Sequence, residues 1–232
     1  MNSLSIVIPF YNEPDNSKEF FQIIQKVRIE NTSWILVDNG STDKITLRNL
    51  PILENVKIMR LESNSGFGGG IKEGLKVAES DWVAWMPGNL KVHPLAPRIM
   101  LDRFLLSEDF QSDAFIKARR EGRSILASVK TSLSSLPISL IARKKLTDIG
   151  GTPTIIQRKY IEKVLKAPND YVFELATYLI LLDLKCEESR IPNPYLSRIF
   201  GKTHWQNGLK SELKLLLKQI NYATHSKSNL RV

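Results

Sequence analysis

The chain has 232 residues, 42% of them hydrophobic and 25% charged, with a formal net charge of +9 and one cysteine. This is ordinary globular composition, and a lone Cys186 excludes an internal disulfide framework and any cysteine-rich zinc site. No uncharged apolar stretch approaches the roughly 18 residues of a membrane-spanning helix, and MNSLSIVIPF lacks the basic start of a signal peptide.

In chain order, LSIVIPF reads as a β-branched strand. KEFFQIIQKVRI follows with apolar residues at 20, 21, 23, 24 and 27, a helical stripe that Asp15, Asn16 or Ser17 can cap. SWILVDNGSTD is a second strand ending in a polar turn, and TLRNLPIL predicts a weak helix stopped near Pro51. VKIMRLE is a third strand, NSGFGGGIKEGLKVAES a glycine-rich loop running into a helix, and DWVAWMP a fourth strand. Strands alternating with helices at this spacing predict an α/β fold with a mostly parallel sheet wound by right-handed crossovers. Ligands of such sheets bind beyond the carboxyl ends of the strands. The turns at 9–13, 38–43, 64–70 and 87–91 all fall there, so they are expected to meet at one crevice.

The second half is less regular. HPLAPRIMLDRFLLS predicts a helix after Pro97, DAFIKARREGR a strand entering a basic turn, and SILASVKTSLSSLPISLIARKKL a helix pair broken at Pro137. TIIQRKYIEKVL reads as strand then helix, DYVFELATYLILLDLK as a buried helix, and CEESRIPNPYLSR as extended. In NGLKSELKLLLKQINY, Leu209, Leu213, Leu216, Leu217 and Ile220 are expected on one helical face beside Lys210, Lys214 and Lys218. No repeat or low-complexity linker interrupts the chain, which predicts a single domain over 1–205 and a basic amphipathic extension over 206–232.

The positive charge is uneven. Residues 1–116 carry net −3, but 117–145 hold eight basic residues against one acidic, and 185–232 hold nine against three. Such clusters suit a polyanion: a pyrophosphate, an anionic membrane surface or a nucleic acid. A nucleic-acid partner ranks last, because there is no helix-turn-helix or aromatic RNA-binding signature.

Asp38, aimed by the turn at Gly40, can accept from a nucleobase N–H or a ribose hydroxyl; a plain Asx turn is the alternative. The glycines at 66, 68, 69 and 70 can let backbone approach a ligand at a helix start, or form a flexible loop; no GK[ST] follows, so this is not a Walker loop. His93 and His225 have no partner at ligand spacing, so no zinc site is expected.

Taken together, SIVIPFYNE, WILVDNGSTD and NSGFGGGIKEGLKVAESDWVAWM resemble the family 2 inverting glycosyltransferases of the GT-A fold, over roughly the first 95 residues. Within that family the chain is most similar to the polyprenyl- and dolichyl-phosphate sugar transferases, through IKARR, DIGGTPTIIQRKYIEKV, the DYVFELATYLILLDLK helix and RIFGKTHW. The resemblance implies a nucleotide-binding half over about 1–95 and an acceptor-side half over about 96–205. It implies a nucleotide-diphosphate sugar donor with a UDP or GDP moiety, and a polyprenyl-phosphate or glycan acceptor. Carried over by position, Pro9, Tyr11, Asn12 and Glu13 frame base and ribose, Asp38 binds the base, and Asn64, Gly66 and Gly68 lie near the ribose. Arg119 or Arg120, with Arg198 and Lys202, face the phosphates, and Glu174 lies on the acceptor side as a general base for a hydroxyl acceptor. His204 can donate to a phosphate oxygen.

At one position the resemblance breaks. Where the family carries two carboxylates for a divalent metal, this chain has Pro87-Gly88-Asn89. A hard divalent ion wants anionic oxygens, so the expectation is that no metal cofactor is required, with at most weak Mg2+ or Mn2+ binding. Arg119, Arg120, Arg198, Lys202, Lys91 and His204 are then candidates to stabilise the leaving diphosphate, with Asn89 contacting substrate. The expected location is the cytoplasm, with the basic tail in peripheral contact with the inner membrane face.

Overall fold

The computed structural model describes residues 2–27, 29–108, 112–122, 124–198, 200 and 209–229. Seven strands form one sheet: β1 (Leu4–Phe10), β2 (Thr32–Asp38), β3 (Val56–Arg60), β4 (Trp82–Trp85), β5 (Ala114–Glu121), β6 (Thr154–Gln157) and β7 (Glu187–Pro194). The helices are α1 (Pro14–Lys26), α2 (Phe67–Leu75), α3 (Ala96–Leu105), α4 (Ile125–Ala142), α5 (Ile161–Val164), α6 (Phe173–Asp183) and α7 (Leu209–Asn229). The strand order is β3-β2-β1-β4-β6-β5-β7, and only β6 runs against the others, pairing antiparallel with β4 and β5. This is the α/β GT-A architecture that the resemblance implies.

Both faces of the sheet are covered, which is why every residue of β1 is buried and all but Ser5 are apolar, rather than alternating with polar residues. Leu4, Ile6, Ile8 and Phe10 pack with Phe20, Phe21 and Ile24 of α1 and Met100, Leu101 and Phe104 of α3. Val7 faces the opposite way, onto a core built from Ile71 and Leu75 of α2, Ile138 and Ala142 of α4, and Phe173 and Leu175 of α6. Because β6 alone is reversed, the carboxyl ends of the other six strands share one edge with the start of β6.

Four sequence expectations shift. α1 starts at Pro14, earlier than any of the three suggested caps, with Glu13 as N-cap and no capping side chain; proline at the first turn is preset for a helix and has no N–H to lose. TLRNLPIL forms no helix: Lys44, Leu47 and Asn49 adopt positive φ, and the Asp43 carboxylate accepts from the backbone N–H groups of Ile45 and Thr46 at 2.8 and 2.9 Å, closing a turn. α4 is one helix through Pro137, with Ser135 buried just before the proline and Ile138 and Ala142 buried after it, across the lost hydrogen bond. In α7 the apolar positions divide between two faces: Leu216 and Ile220 pack on the core around a fully buried Ala223, whereas Leu213 and Leu217 are exposed.

Candidate active site

A cleft of about 490 Å3 opens at the shared edge of the sheet. Its sheet-side wall comes from Pro9 at the end of β1 and Tyr11 and Glu13 after it, Asn39 after β2, Asn64 and Gly66 after β3, and Pro87, Asn89 and Lys91 after β4. Four turns that lie far apart in sequence therefore do converge. The far wall comes from the second half: Arg120 of β5, Gly150 and Thr152 before β6, Tyr171 and Glu174 around the start of α6, Tyr195 and Arg198 after β7, and Leu215 and Gln219 of α7.

Local structure fixes each group. Asn12 sits at φ 51°, and its side-chain oxygen accepts from the Thr42 N–H at 2.8 Å, while its own N–H donates to Ser41 Oγ at 3.0 Å. It does not line the cleft; it ties the β1 turn to the β2 turn. Asp38 also lies outside the cleft lining. It is buried, ion-paired with Arg60 across the β2–β3 register, and accepts from the Ser41 N–H at 2.8 Å. Asn39, one residue on and not anticipated from the sequence, faces the cleft instead. Its amide donates to the Gly66 carbonyl at 2.9 Å and its oxygen accepts from Ser65 Oγ at 2.8 Å, pinning the loop that carries Asn64.

The glycine-rich segment is mostly helix rather than loop. Gly66 (φ 82°) lines the cleft, but Gly68 does not; it lies within α2, packed against the α5–α6 loop. A Cβ on Gly68 would meet the Pro168 carbonyl oxygen at 2.5 Å and the Phe173 side chain at 2.6 Å, and the neighbouring Gly69 N–H donates to Asn169 O at 2.9 Å. These glycines thus hold the two halves of the protein together. Gly68→Ala is expected to cost about 1–3 kcal/mol through overpacking, measured by urea unfolding; an unchanged midpoint would show that the loop yields freely.

Four charged groups of the cleft, Glu13, Arg120, Glu174 and Arg198, are ion-paired. Arg198 donates to the Glu13 carboxylate and to Phe200 O at 2.7 Å, bridging the mouth from the β7 side to the β1 turn. Arg120 is ion-paired with Asp148 and stacks over Tyr195 at 5.2 Å, a ring that Lys91 also approaches at 5.7 Å. Arg119 points out of the cleft, its side chain 62% exposed beside Glu121; strand alternation sends it to the face opposite Arg120. Burial, with the Glu13 carboxylate nearby, pushes the Tyr171 phenol above its ordinary range, so its hydroxyl stays protonated in the cleft. Phe67 stacks on that ring at 5.1 Å. Lys202 and His204 lie outside the described residues.

Glu174 is the best-anchored acid. Its Oε1 accepts from Trp85 Nε1 at 2.9 Å, and its Oε2 lies 3.3 Å from Lys117 Nζ and 3.4 Å from Thr154 Oγ1. Nothing read from the sequence paired Lys117 with it. The available signal was a lysine inside AFIKA, a run that reads as a strand covered on both faces.

The donor set at the end of β4 does not fit a hard divalent ion. Pro87 and Gly88 bring no side-chain donor, and the Asn89 carbonyl already accepts from the Lys91 N–H at 3.2 Å. Among the described residues no group of three or more His, Cys, Asp or Glu is placed to hold a metal.

A parallel sheet with a cleft at its carboxyl edge hosts many chemistries, and sequence comparison decides among them. The profile of Glycosyl transferase family 2 matches residues 5–165. The chain belongs to that family. Among solved structures, this glycosyltransferase is similar to glucosyl-3-phosphoglycerate synthase from Mycobacterium tuberculosis, crystallised with Mn2+, uridine diphosphate and glucosyl-3-phosphoglycerate. The TM-score is 0.67 at 18% identity, covering 97% of this chain and 79% of that one. A second complex of that synthase, with Mn2+, UDP-glucose and phosphoglyceric acid, gives a TM-score of 0.66 at 16% identity with the same coverage. These likenesses establish the fold. Curated relatives include the poly-beta-1,6-N-acetyl-D-glucosamine synthases of Staphylococcus aureus strains MSSA476 and MW2, each 22% identical over 181 residues, or 75% of this chain. The glycosyltransferase spans 44% of the length of those two relatives.

Proposed function

We propose that this glycosyltransferase moves a sugar from a UDP- or GDP-sugar to a polyprenyl-phosphate or other lipid-linked glycan acceptor, with inversion and without a tightly held metal. The observation that carries the reading is the cation set of the cleft: Lys91, Arg120 and Arg198 line it from both walls, while the position of a two-carboxylate metal motif is held by Pro87-Gly88-Asn89. In a single displacement the acceptor oxygen bonds to the anomeric carbon as the bond to the diphosphate oxygen breaks. The electron pair leaves with the diphosphate, whose growing charge needs fixed positive groups. Guanidinium forks suit that task, and the pairs Arg198–Glu13 and Arg120–Asp148 hold two of them at the cleft.

A phosphate acceptor fits better than a neutral hydroxyl. The two acidic residues that line the cleft, Glu13 and Glu174, are each paired with a cation among the described residues. Both carboxylates are thus already occupied by partners, and a lipid phosphate arrives already ionised and needs no base. The deciding experiment is a thermal-shift panel of nucleotide-diphosphate sugars with Mn2+ and with EDTA, followed by transfer to polyprenyl phosphate. Stabilisation by one donor that survives EDTA, with turnover, is expected. Strict loss of both in EDTA would refute metal independence, and donor binding without turnover on any acceptor would favour a silent binding domain.

Peripheral membrane contact belongs to the same reading. No helix among the described residues is long and apolar enough to cross a bilayer. α4 and α7 nonetheless pack together and expose Leu133, Leu136 and Leu140 (71% exposed) on one and Leu213 and Leu217 on the other. Exposed Arg143 and Lys145 follow α4, and exposed Lys210, Lys214 and Lys218 flank the α7 leucines. Apolar residues bordered by cations suit an anionic bilayer surface. In vesicle flotation, the protein is expected to bind phosphatidylglycerol vesicles in preference to phosphatidylcholine, and Leu136→Ser/Leu140→Ser to lose that binding. Equal recovery with both lipids would refute the electrostatic part.

A further inference from the structure

Beneath the cleft lies a charged group that the proposed transfer does not use. Lys117 is 1% exposed in β5, between Ile116 and Ala118, both fully buried. Lysine is almost never so buried unless paired. Its Nζ donates to Thr154 Oγ1 at 3.0 Å, lies 3.3 Å from Glu174 Oε2, and sits over the Tyr178 ring at 5.4 Å. Glu174 is in turn held by the Thr154 hydroxyl and by Trp85 of β4, two residues before Pro87. A carboxylate offers about four acceptor directions. Lys117, Thr154 and Trp85 occupy three, and Glu174 itself lines the cleft while Lys117 does not.

We propose that Lys117 is a resident cation that neutralises Glu174 from the core side, in place of a divalent ion drawn from the cleft side. It leaves the carboxylate one open acceptor direction, suited to a single hydroxyl of the transferred sugar. Lys117 is thus a positioning residue, acting through Glu174. The hydroxyl assignment rests on the proposed transfer; the counter-charge assignment does not.

The counter-charge is tested with no nucleotide or sugar present. Thermal unfolding is followed with and without millimolar Mn2+ for the wild type, Lys117→Met and Lys117→Met/Glu174→Gln. The wild type is expected to be indifferent. Lys117→Met, its Glu174 now uncompensated, gains an Mn2+-dependent rise in Tm, and the double variant loses that rise. A folded Lys117→Met that ignores Mn2+, or a double variant that responds like the single one, would overturn the proposal.

Should Lys117→Met not fold, Glu174→Gln carries the test through pH. Burial already holds the Lys117 ammonium below its ordinary range, and Glu174 is the largest influence opposing that. The other charged or titratable groups around it are Asp148 before β6, Arg190 with its partner Glu188 on β7, and Tyr178 of α6. In Glu174→Gln the lysine falls further, so the unfolded chain binds that proton more readily than the folded one. Stability then rises with pH up to the ordinary lysine range. Tm of Glu174→Gln relative to wild type is expected to climb from neutral pH upward; a constant difference would overturn the proposal.

The hydroxyl is tested by affinity. Glu174→Gln is expected to weaken nucleotide-sugar binding about tenfold and nucleoside-diphosphate binding less than about twofold, as fits one charge-assisted hydrogen bond. Equal losses would overturn the hydroxyl assignment. A wild type that binds no nucleotide would instead sink the transfer reading, and the Mn2+ and pH results would still stand or fall alone.

Discussion

Arg198→Ala is expected to lower the rate of sugar transfer by about 10²–10³-fold, the loss seen when one fixed donor to a developing oxyanion is removed, or about 2.7–4 kcal/mol. Arg198 reaches into the mouth of the cleft from the segment after β7 and meets Glu13 on the opposite wall. Its guanidinium is mostly buried, so it acts in a medium where water screens little. Calorimetric titration should show nucleoside-diphosphate affinity falling more than nucleoside affinity, if the lost group faces the phosphates as the proposed transfer has it. Equal falls would mean that Arg198 only braces the Glu13 turn. Arg120→Ala is expected to behave similarly, with part of its effect routed through Asp148, which would lose its ion pair. Arg119→Ala is the internal control. Its side chain lies outside the cleft, so transfer should stay within about twofold of wild type, as for ordinary surface changes.

Lys117→Met is expected to destabilise the fold by about 3–5 kcal/mol, because removing one member of a buried ion pair strands the other. The same size of loss is expected for Glu174→Ala, which also strips Trp85 Nε1 of its acceptor. Lys117→Met/Glu174→Gln should recover most of the stability, since replacing both members of a buried pair is often near neutral. Urea unfolding of the two single variants and the double variant yields the coupling. Strict additivity would show that the two groups are stabilised separately and that their proximity is incidental.

The first half of the fold was legible because its signals are local. SIVIPF, WILVD and VKIMR are short β-branched runs, and each ends in a polar turn, so both the parallel sheet and the crevice at its edge follow from spacing alone. What was not legible depends on contacts distant in sequence. Asp38, expected to bind the base, lies outside the cleft lining and is ion-paired with Arg60 on the neighbouring strand, a contact that its own sequence neighbourhood does not announce. Gly68 was expected near the ribose, yet its missing side chain makes room for Pro168 and Phe173, a hundred residues later. Arg119 and Arg120 are adjacent in sequence, but strand alternation places only one at the cleft. Pro137 suggested a break that the burial of α4 overrides. Lys117 counted toward a basic surface field, whereas the fold buries it.

The tie between Trp85 and Glu174 gives the cleft an optical readout. The indole N–H points at the carboxylate, and its ring packs edge-on against Phe173 at 5.5 Å, sealed from solvent. Trp34 and Trp82 are buried on the opposite face of the sheet, away from this carboxylate. Any event that moves or neutralises Glu174 therefore alters the electric field at one emitting chromophore. Intrinsic fluorescence, recorded against a Trp85→Phe reference, would follow occupancy of the cleft without a label.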